Sequence, residues 1–357
     1  MLSKLITQLS ARKNLSGEEI SSAIIELTSD TVPPQTKAAF LSALAQKGET
    51  PDEIAAFAAE LRKLAIQPPI DAELRAQDIL DVVGTGGDRL GTFNISTAAA
   101  LIAAAAGVKV AKHGNRAVTS LAGSADVLEA LGIPTELPPA EAVESLRRHN
   151  FAFFFAPLYH PAFKSIAPAR KLCADRGQRT VFNFLGPLLN PANVSVQLLG
   201  VSRPGLCAPL ARVLQNLGLR RAMVVCGEVP QLSPPEGSTT LTVCMDELST
   251  LGENVVAEFY QSQALSINRW MPSGFPIQPV KPEDLVGGDK HVNADIIRRL
   301  FRGEDRGPKR DALLLNAGAA LWIAGKASSI TDGWNMAARI IDDGAADAKL
   351  RELARAA

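Results

Sequence analysis

The sequence predicts a small helical bundle followed by a larger α/β region built on a mainly parallel sheet. Apolar residues recur at helical spacing through the first sixty-odd positions, as at Ile20, Ile24 and Leu27. From Ile79 onward, short apolar runs alternate with Ala- and Leu-rich helices, a pattern typical of parallel strands covered by helices on both faces. The 357 residues, 46% of them hydrophobic, are enough for two domains or one large α/β unit.

Capping signals mark where two helices of the bundle begin. Ser16–Glu19 and Thr50–Glu53 both have the spacing of a capping box, and Pro51 occupies the first helical position of the second. The Pro68-Pro69 pair ends the helical segment, because a residue that precedes proline is disfavoured in a helix. We therefore expect the N-terminal helical domain to cover residues 1–68.

Strand and helix boundaries in the α/β region follow from the same patterns. The predicted strands are Ile79–Val83, Val108–Ala111, Phe151–Phe155, Val194–Val201 and Ala222–Val225. The predicted helices include Ile95–Ala106, Ser124–Leu131 and, as the last strong one, Asp311–Ala324. Gly227–Thr240 is rich in Pro, Gly and Ser and is predicted to be an exposed loop.

Composition and charge argue against several classes of protein. The 37 basic residues balance 37 acidic ones and only 5% of residues are aromatic, which disfavours nucleic-acid binding through phosphates or stacked bases. Four widely spaced cysteines suggest neither a disulfide framework nor a thiolate zinc site. The most apolar run, Ala98–Val108, is too short to cross a membrane, and the amphipathic N-terminus resembles no targeting signal. We expect a cytoplasmic protein without membrane or nucleic-acid partners.

A glycine-rich loop is predicted at the carboxyl end of the first strand. Gly84–Asp88 supplies three glycines and an acid, and Asn94–Thr97 then opens an alanine-rich helix. Backbone N–H groups of such a loop, together with a helix N-terminus, bind phosphate or diphosphate. A tight strand-to-helix turn with Asn94 or Ser96 as its N-cap would give the same pattern without a ligand.

The second strand ends in residues that suit the same ligand. Val108–Ala111 leads into Lys112–Arg116 and then into a run of hydroxyl residues. Because parallel strands end at one edge of the sheet, these groups should face the glycine-rich loop. Lys112 and Arg116 suit phosphate oxygens, whereas His113 could either bind a backbone carbonyl or act as a base. The sequence contains neither a Walker A motif nor a dinucleotide-binding motif.

Several motifs follow one another in order along nearly the whole chain. They are Lys47–Pro51, Gly84–Asp88, Asn94–Thr97, Lys112–Arg116, Gly123–Asp126, Leu185–Pro191 and Asp311–Gly318. Together they resemble the motifs of the anthranilate phosphoribosyltransferase family of tryptophan biosynthesis. Several ungapped motifs in the right order are far more specific than any single one.

The resemblance implies an architecture and a reaction. It implies a small helical domain, completed by a helical excursion around residues 161–190, and a large α/β domain over residues 75–357 with phosphate-binding loops at the strand carboxyl ends. The family transfers the phosphoribosyl group of phosphoribosyl pyrophosphate to anthranilate and releases pyrophosphate, usually as a homodimer and with magnesium. We therefore expect these two small molecules, Mg²⁺ and a second copy of the chain as partners.

The resemblance also implies site residues. Phosphoribosyl pyrophosphate would be held by Gly84, Gly87, Asp88, Thr92, Asn94, Ser96, Thr97, Lys112, Asn115, Ser120 and Ser124. Anthranilate would contact Gly84, Asn115 and Arg170, and magnesium would bind Ser96, Asp246 and Glu247. Lys112 and Arg170 would support catalysis electrostatically, and no residue is assigned as a certain general base.

General chemistry agrees with two of these assignments. Mg²⁺ takes oxygen ligands, commonly one or two carboxylates together with substrate phosphates, and Asp246 and Glu247 are adjacent acids. Arg170 can pair bidentately with the carboxylate of a benzoate-type substrate. Taken alone, the acid pair would be interpreted as a solvated turn and Arg170 as a surface charge on a helix.

Three features depart from the family pattern. Cys226 stands where the family commonly has a histidine, the long Glu228–Cys244 loop precedes the acid pair, and Leu172–Gln178 is longer than usual. The two longer segments flank the expected metal and amine sites. Two alternatives stay open: a phosphoribosyltransferase or phosphorylase of the same fold that uses another aromatic amine or base, and a non-catalytic paralogue that binds nucleic acid.

Overall fold

A computed structural model describes residues 1–117, 121–230, 242–261 and 263–355 of the chain. Helices cluster at both ends and alternate with strands between them. The α-helices are α1 (Leu2–Ser10), α2 (Gly17–Thr28), α3 (Pro34–Lys47), α4 (Pro51–Lys63), α5 (Ala72–Arg75), α6 (Ile95–Ala105), α7 (Ser124–Leu131), α8 (Pro139–His149), α9 (Ala156–Tyr159), α10 (Phe163–Ala174), α11 (Phe182–Leu185), α12 (Cys207–Asn216), α13 (Lys290–Phe301), α14 (Pro308–Ile323), α15 (Ile330–Asp342) and α16 (Ala345–Arg355).

Within these ranges the strands form one eight-stranded sheet. They are β1 (Ile79–Gly84), β2 (Lys109–Gly114), β3 (Phe151–Phe155), β4 (Val196–Gly200), β5 (Arg221–Pro230), β6 (Thr242–Met245), β7 (Asn254–Tyr260) and β8 (Ser266–Trp270). Their order is β3-β2-β1-β4-β5-β7-β8, and β6 pairs with β5. Strands β1 to β5 run parallel, whereas β6, β7 and β8 are antiparallel to their neighbours. The predicted mainly parallel sheet is confirmed.

Helices cover both faces of the sheet. Leu80 and Leu198 point into one core together with α6, α13 and α14, while Leu199 points into a second core with α8, α12 and the N-terminal helices. Alternate side chains of a strand thus enter different cores, as the pleat requires. Asp81 of β1 and Gln197 of β4 are paired in register and are buried polar exceptions.

Helices α1 to α4 form the N-terminal bundle, and α10 joins it from later in the chain. α10 packs on α2 and α3, and Lys37 Nζ of α3 donates to the Ser165 carbonyl at 2.8 Å. Both predicted capping boxes, Ser16–Glu19 and Thr50–Glu53, are present. None of the helices in the described ranges combines the length and the hydropathy that a bilayer span requires.

The structure differs from the sequence prediction in the last third of the chain. Gly227–Pro230, predicted as the start of an exposed loop, is the end of β5, because Glu228 pairs with Cys244 of β6. The remainder of the predicted loop lies outside the described residues. Strands β7 and β8 and helices α15 and α16 were not predicted. β8 is largely exposed and carries no alternating apolar signal. α15 has apolar residues at helical spacing, from Ile330 to Ile341, that the sequence analysis missed.

Candidate functional site

A turn that carries the two predicted metal acids crosses the carboxyl ends of β1 and β4 and contacts β5 at Gly227. Asp246 and Glu247 follow β6 directly, and the turn meets glycine at each strand. A Cβ on Gly84 would lie 2.3 Å from Asp246 Oδ2, and one on Gly200 would lie 1.6 Å from the Asp246 carbonyl oxygen. A Cβ on Gly227 would lie 2.6 Å from the Glu247 carbonyl oxygen. Glycine is therefore required for the turn to lie this close to the sheet.

The glycine-rich loop after β1 closes on Asp246. Gly86 has φ +71°, a left-handed conformation that favours glycine, and its N–H donates to Asp246 Oδ2 at 2.6 Å. The Thr85 N–H donates to the Gly200 carbonyl at 2.9 Å and extends the ladder between β1 and β4. Asp88 Oδ1 accepts from the Leu90 N–H at 3.1 Å. The loop residues expected to bind substrate and the acid expected to bind metal are thus neighbours.

The N-terminus of α6 holds Glu247. The Ser96 N–H donates to Glu247 Oε1 at 3.1 Å, and the positive end of the helix dipole favours this carboxylate. Thr97 is fully buried, and within the described residues its hydroxyl has no hydrogen-bond partner. Thr97 thus lies wholly below the surface of the cleft in this structure.

Asp246 and Glu247 lie in an electrostatically unfavourable position. Burial raises the pKa of both carboxyls, the negative charge of Asp88 adds to the shift at Asp246, and Asp246 adds to the shift at Glu247. The Lys112 ammonium and the two backbone N–H groups act in the opposite direction without cancelling the shift. A bound cation would relieve this repulsion.

The donor set around the acid pair fits magnesium. Across the described ranges, no three His, Cys, Asp or Glu side chains converge closely enough to hold a metal by themselves. Mg²⁺ seldom needs such a cage, because it commonly binds one or two carboxylates and fills its shell with water and substrate phosphate oxygens. Asp246 and Glu247 can supply the carboxylates, and Ser96 lies beside Glu247, to which its N–H donates.

A buried charge pair lies beneath the strand ends. Lys112 is buried, and its Nζ donates to the Val82 carbonyl at 2.6 Å. Asp81 accepts from Asn190 Nδ2 at 3.0 Å and from the His113 N–H at 3.3 Å. Burial raises the pKa of Asp81 to about 6, and the Lys112 ammonium opposes this shift. Burial lowers the pKa of Lys112, and its ammonium lies below the surface of the cleft and is not exposed to it.

The end of β2 brings Asn115 and Ser124 close together. Asn115 is exposed, and its carbonyl accepts from the Ala125 N–H at 3.3 Å at the start of α7. A Cβ on Gly114 would lie 2.3 Å from Ser124 Oγ, so that hydroxyl packs directly on the strand end. The predicted substrate residue Ser120 lies outside the described residues.

Arg116 was expected from the sequence to bind phosphate, but its guanidinium pairs with two acidic side chains. Its Nη2 lies 2.7 Å from a Glu129 carboxylate oxygen and 2.6 Å from one of Glu136. The guanidinium carbon is also 4.6 Å from the centre of the Phe155 ring. We therefore correct the expectation for Arg116, because two acids and an aromatic ring compete for its donors.

Arg170 lies beside an aromatic cluster on α10 and α11. Its guanidinium carbon is 5.3 Å from the centre of the Phe182 ring and 5.9 Å from that of Phe163. Phe163 makes edge-on contacts with Phe182 at 5.5 Å and with His160 at 5.6 Å. Arg170 is exposed, and no carboxylate of the described residues pairs with it. Its guanidinium is thus available to a carboxylate ligand.

His113 and His160 form a buried pair between this cluster and β2. Their Nε2 atoms are 3.2 Å apart, and the rings meet edge to face. Burial lowers the pKa of His113 to about 3, with His160 as a further cause, and burial lowers the pKa of His160 to about 4. Both rings are neutral at pH 7. A base role for His113 is disfavoured, because a group with so low a pKa is a weak proton acceptor.

Replacing His160 with Gln should reduce the sensitivity of the fold to acid. Both histidines are neutral in the folded protein but protonate below about pH 6.5 when unfolded, so the wild type loses stability as pH falls from 6.5 towards 4. Each contributes a loss of up to about 1.4 kcal/mol per pH unit. The contribution of Asp81 to stability increases as pH falls, because burial raises its pKa. This contribution is the same in the wild type and the variant and therefore cancels when the two are compared. Urea unfolding at pH 7.5 and 5.0 should show a smaller loss for the variant.

The matched control for this experiment is His291→Gln. His291 is exposed on α13, so its replacement should leave the pH dependence of unfolding as in the wild type. Equal losses in wild type and His160→Gln would mean that the buried pair does not control the response to acid.

Asn293 orients one predicted site residue and was not itself predicted. Its Nδ2 donates to Asn94 Oδ1 at 2.9 Å, and its Oδ1 accepts from the Gly288 N–H at 2.8 Å. Thr92 forms a bridge to Val286 in the same segment. These contacts join chain regions almost two hundred residues apart, and no local pattern in the sequence indicates them.

Comparison with known proteins places the chain in a family. Residues 3–65 match the model of a glycosyl transferase family helical bundle domain, and residues 76–347 match that of a glycosyl transferase family a/b domain. The anthranilate phosphoribosyltransferase of Lacticaseibacillus paracasei is 44% identical over 353 residues, covering 99% of this chain and 96% of the relative. The anthranilate phosphoribosyltransferase of Acetivibrio thermocellus is 43% identical over 354 residues, covering 99% of this chain and 95% of the relative.

Solved structures agree with this relationship. The anthranilate phosphoribosyltransferase of Thermus thermophilus is 40% identical, covers 98% of both chains and superimposes with a TM-score of 0.84. The structure of anthranilate phosphoribosyltransferase from Saccharomyces cerevisiae in complex with PRPP and Mg also has a TM-score of 0.84. It is 24% identical, the match covers 99% of this chain and 97% of that one, and it shows that the two share a fold. The chain therefore belongs to the anthranilate phosphoribosyltransferase family.

Proposed function

We propose that the chain transfers the phosphoribosyl group of phosphoribosyl pyrophosphate to anthranilate in tryptophan biosynthesis, with Mg²⁺ as cofactor. The products are N-(5-phosphoribosyl)anthranilate and pyrophosphate. The observation that carries the proposal is the meeting of the Gly84–Asp88 loop, the N-terminus of α6 and the Asp246–Glu247 pair at one edge of the sheet. The shared name of relatives that are 43 to 44% identical over nearly the whole chain supports the same reaction.

The phosphoribosyl pyrophosphate side of the proposed site relies on backbone donors. The loop containing Gly87 and Asp88, together with the first turn of α6, suits a diphosphate through N–H groups and the helix dipole. Lys112 would contribute its buried charge, and Thr97 keeps the role expected from the sequence. The other residues expected from the sequence keep their proposed roles, including Gly84, Thr92, Asn94, Ser96, Asn115, Ser120 and Ser124.

Asp246, Glu247 and Ser96 are the residues we propose for holding Mg²⁺. When bound, the ion would supply Lewis-acid stabilisation of negative charge on the departing pyrophosphate. The Gly86 and Ser96 N–H groups keep the two carboxylates in fixed positions. This preorganisation matters because transfer places positive charge on the ribose ring and negative charge on the leaving group.

The amine side of the proposed site comprises Gly84, Asn115 and Arg170. The guanidinium fork of Arg170 suits the anthranilate carboxylate and would orient the amine towards ribose C1. The C1–N bond forms as the C1–O bond to pyrophosphate breaks, and the excess amine proton leaves to water. An aromatic amine has a free lone pair at neutral pH, so we assign no general base.

Replacing Arg170 with Ala should weaken the use of anthranilate selectively. Loss of a charged hydrogen-bonding partner should raise KM for anthranilate roughly tenfold or more, while KM for phosphoribosyl pyrophosphate changes little. Steady-state kinetics with each substrate varied in turn would measure both constants. Lys171→Ala is the matched control, because Lys171 is exposed on the same helix. An equal effect on both constants, or none, would remove Arg170 from the amine site.

The function itself is tested by the loss of anthranilate fluorescence when protein, phosphoribosyl pyrophosphate and Mg²⁺ are mixed. Samples with EDTA, or without phosphoribosyl pyrophosphate, should show no loss. If fluorescence persists while calorimetry detects phosphoribosyl pyrophosphate binding, the protein uses another aromatic amine or a base. If neither occurs, and nucleic acid binds tightly instead, the chain is a non-catalytic paralogue.

We further propose a cytoplasmic homodimer with a helical domain over residues 1–68 and 161–190 and an α/β domain over residues 75–357. Free thiols at Cys173, Cys207, Cys226 and Cys244 are consistent with a reducing compartment. Packing of α10 on α2 and α3 supports the assignment of the later helical segment to the bundle. The dimer rests on family membership.

A further inference from the structure

Two fully buried asparagines bind the backbone immediately after the acid pair. Leu248 and Ser249 follow Glu247 in the turn, and each has both its N–H and its carbonyl bound by a single asparagine side chain. Asn316 binds Leu248, and Asn254 binds Ser249. Both asparagines are 0% exposed. We call this arrangement the asparagine clamp.

Asn316 reaches the turn from the middle of α14. Its Oδ1 accepts from the Leu248 N–H at 2.9 Å, and its Nδ2 donates to the Leu248 carbonyl at 2.9 Å and to the Ala312 carbonyl at 2.9 Å. A backbone N–H can only donate and a carbonyl can only accept, so these partners fix which end of the amide is oxygen. A side chain other than a primary amide of this length could not satisfy all three groups.

Asn254 completes the clamp from the start of β7. Its Oδ1 accepts from the Ser249 N–H at 2.7 Å, and its Nδ2 donates to the Ser249 carbonyl at 2.9 Å. Asn254 is also paired with Gly227 in the β5–β7 register, and Gly227 is the β5 residue that contacts the turn. The turn is thereby tied to the sheet as well as to α14.

The acid pair needs such support for an electrostatic reason. Asp246 and Glu247 repel each other, so an unsupported turn would move them apart when both are ionised. On its upstream side the pair directly follows β6, which is held by its pairing with β5. The clamp supplies rigid backbone contacts from downstream elements, two residues or fewer from Glu247.

We propose that Asn316 and Asn254 are positioning residues that set the geometry of the Asp246–Glu247 pair for Mg²⁺ by clamping the two residues that follow it. This inference rests on the proposed function, because it assumes that the two acids hold the metal. Neither asparagine touches the metal or a substrate. Their contribution is to fix the turn before the ion arrives, so that binding does not have to order it.

The test is Mn²⁺ binding to the Asn316→Leu protein with saturating phosphoribosyl pyrophosphate and no amine. Free Mn²⁺ is read by its electron paramagnetic resonance signal, with a protein-free blank for Mn²⁺ bound to phosphoribosyl pyrophosphate alone. Leu has nearly the shape of Asn and leaves both Leu248 groups unpaired. Loss of such support should weaken Mn²⁺ binding roughly 10- to 100-fold. Asn316→Asp, which keeps one acceptor, should lie between this variant and the wild type.

Two controls separate positioning from general destabilisation. Arg310 is buried on the same helix as Asn316 and forms an ion pair with the exposed Asp342 of α15 at 2.8 Å. Arg310→Gln removes this ion pair and should lower the melting temperature without changing Mn²⁺ affinity. Raising Mg²⁺ should restore most of kcat in Asn316→Leu, which a misfolded site would not allow. If Asn316→Leu does not fold, Mn²⁺ binding is measured instead for the Asn316→Asp and Asn254→Ser variants, by the same electron paramagnetic resonance assay.

The outcomes distinguish this inference from the proposed function. If the wild type binds no Mn²⁺ beyond the blank, the assignment of metal to Asp246 and Glu247 is overturned. If the wild type binds and folded clamp variants bind within twofold of it, the acids hold the metal without the clamp and the inference is wrong. Weaker binding in the clamp variants, with unchanged binding in Arg310→Gln, supports it.

Discussion

Replacing both acids of the metal pair should nearly abolish the proposed reaction. In the double variant Asp246→Asn with Glu247→Gln, kcat/KM for phosphoribosyl pyrophosphate should fall by roughly 10²- to 10³-fold, because several kcal/mol of charge stabilisation is lost. The amides match the carboxylates in size, and their oxygens can still accept from the Gly86 and Ser96 N–H groups. The loss should therefore arise from charge and not from a displaced turn.

The same variant should be more stable than the wild type when metal is absent. Burial and repulsion hold the pKa of both acids above their ordinary values of 3.8 and 4.5, so the folded protein binds protons more readily than the unfolded chain. The two protonated acids therefore stabilise the folded state fully at pH values below 3.8 and 4.5, and this contribution is lost as pH rises through their raised pKa values. The neutral amides remove this loss. In EDTA, the melting temperature of the variant should exceed that of the wild type at pH 8, and the difference should shrink at pH 4.

A magnesium titration of turnover measures the catalytic effect directly. The wild type should show a saturable dependence on Mg²⁺, and the double variant should require far more Mg²⁺ or show no dependence. A variant that kept the wild-type magnesium curve would mean that the acids lie outside the metal site in solution. Lower stability of the variant in EDTA would contradict the repulsion derived from their burial.

The parallel half of the fold was predictable because its signals are local. The runs at Ile79–Val83 and Phe151–Phe155 form strands β1 and β3, since buried parallel strands are mostly apolar, with Asp81 as the exception in β1. β8 was not predicted, because an exposed edge strand gives a weak periodic signal. α15 was missed although Ile330, Trp334, Ala337 and Ile341 recur at clear helical spacing. The observed end of β5 also differs from the predicted end. β5 extends to Pro230 because it pairs with β6, and this pairing is not visible in the local sequence.

The candidate site was predictable where a motif carries its own chemistry. Glycines followed by a helix start at Gly84–Thr97 indicate a phosphate site without a structure. The metal role of Asp246 and Glu247 was expected only from the resemblance to the family, because an adjacent acid pair taken alone is interpreted as a solvated turn. The residues that hold these motifs in place could not be predicted from the sequence. Asn316 belongs to the Asp311–Gly318 motif, but its contact with Leu248 spans 68 residues. The burial of Lys112 and the pairing of Arg116 with two acids likewise depend on neighbours that are distant in sequence or specific to the fold.

Replacing Gly200 with Ala should inactivate the protein by moving the acid pair. The new Cβ would lie 1.6 Å from the Asp246 carbonyl oxygen and 2.4 Å from the Asp246 carbonyl carbon. Both atoms belong to the backbone, so no side-chain rotation relieves the clash and the turn must shift. A displacement of about 1 Å costs roughly 10²-fold in rate when groups are preorganised, and we expect more than that here because both acids move together.

Stability and activity should respond unequally to this substitution, and that difference identifies its cause. Overpacking at one strand end should lower the free energy of unfolding by about 1 to 3 kcal/mol, which leaves most of a domain folded. Far-ultraviolet circular dichroism and a melting curve would establish folding, and kcat/KM at several Mg²⁺ concentrations would show the loss. Gly205→Ala is the matched control, because a Cβ there meets nothing within 4 Å. Near-normal turnover in folded Gly200→Ala would mean that the turn tolerates displacement, and the close approach of Asp246 to β4 would then not be needed for activity.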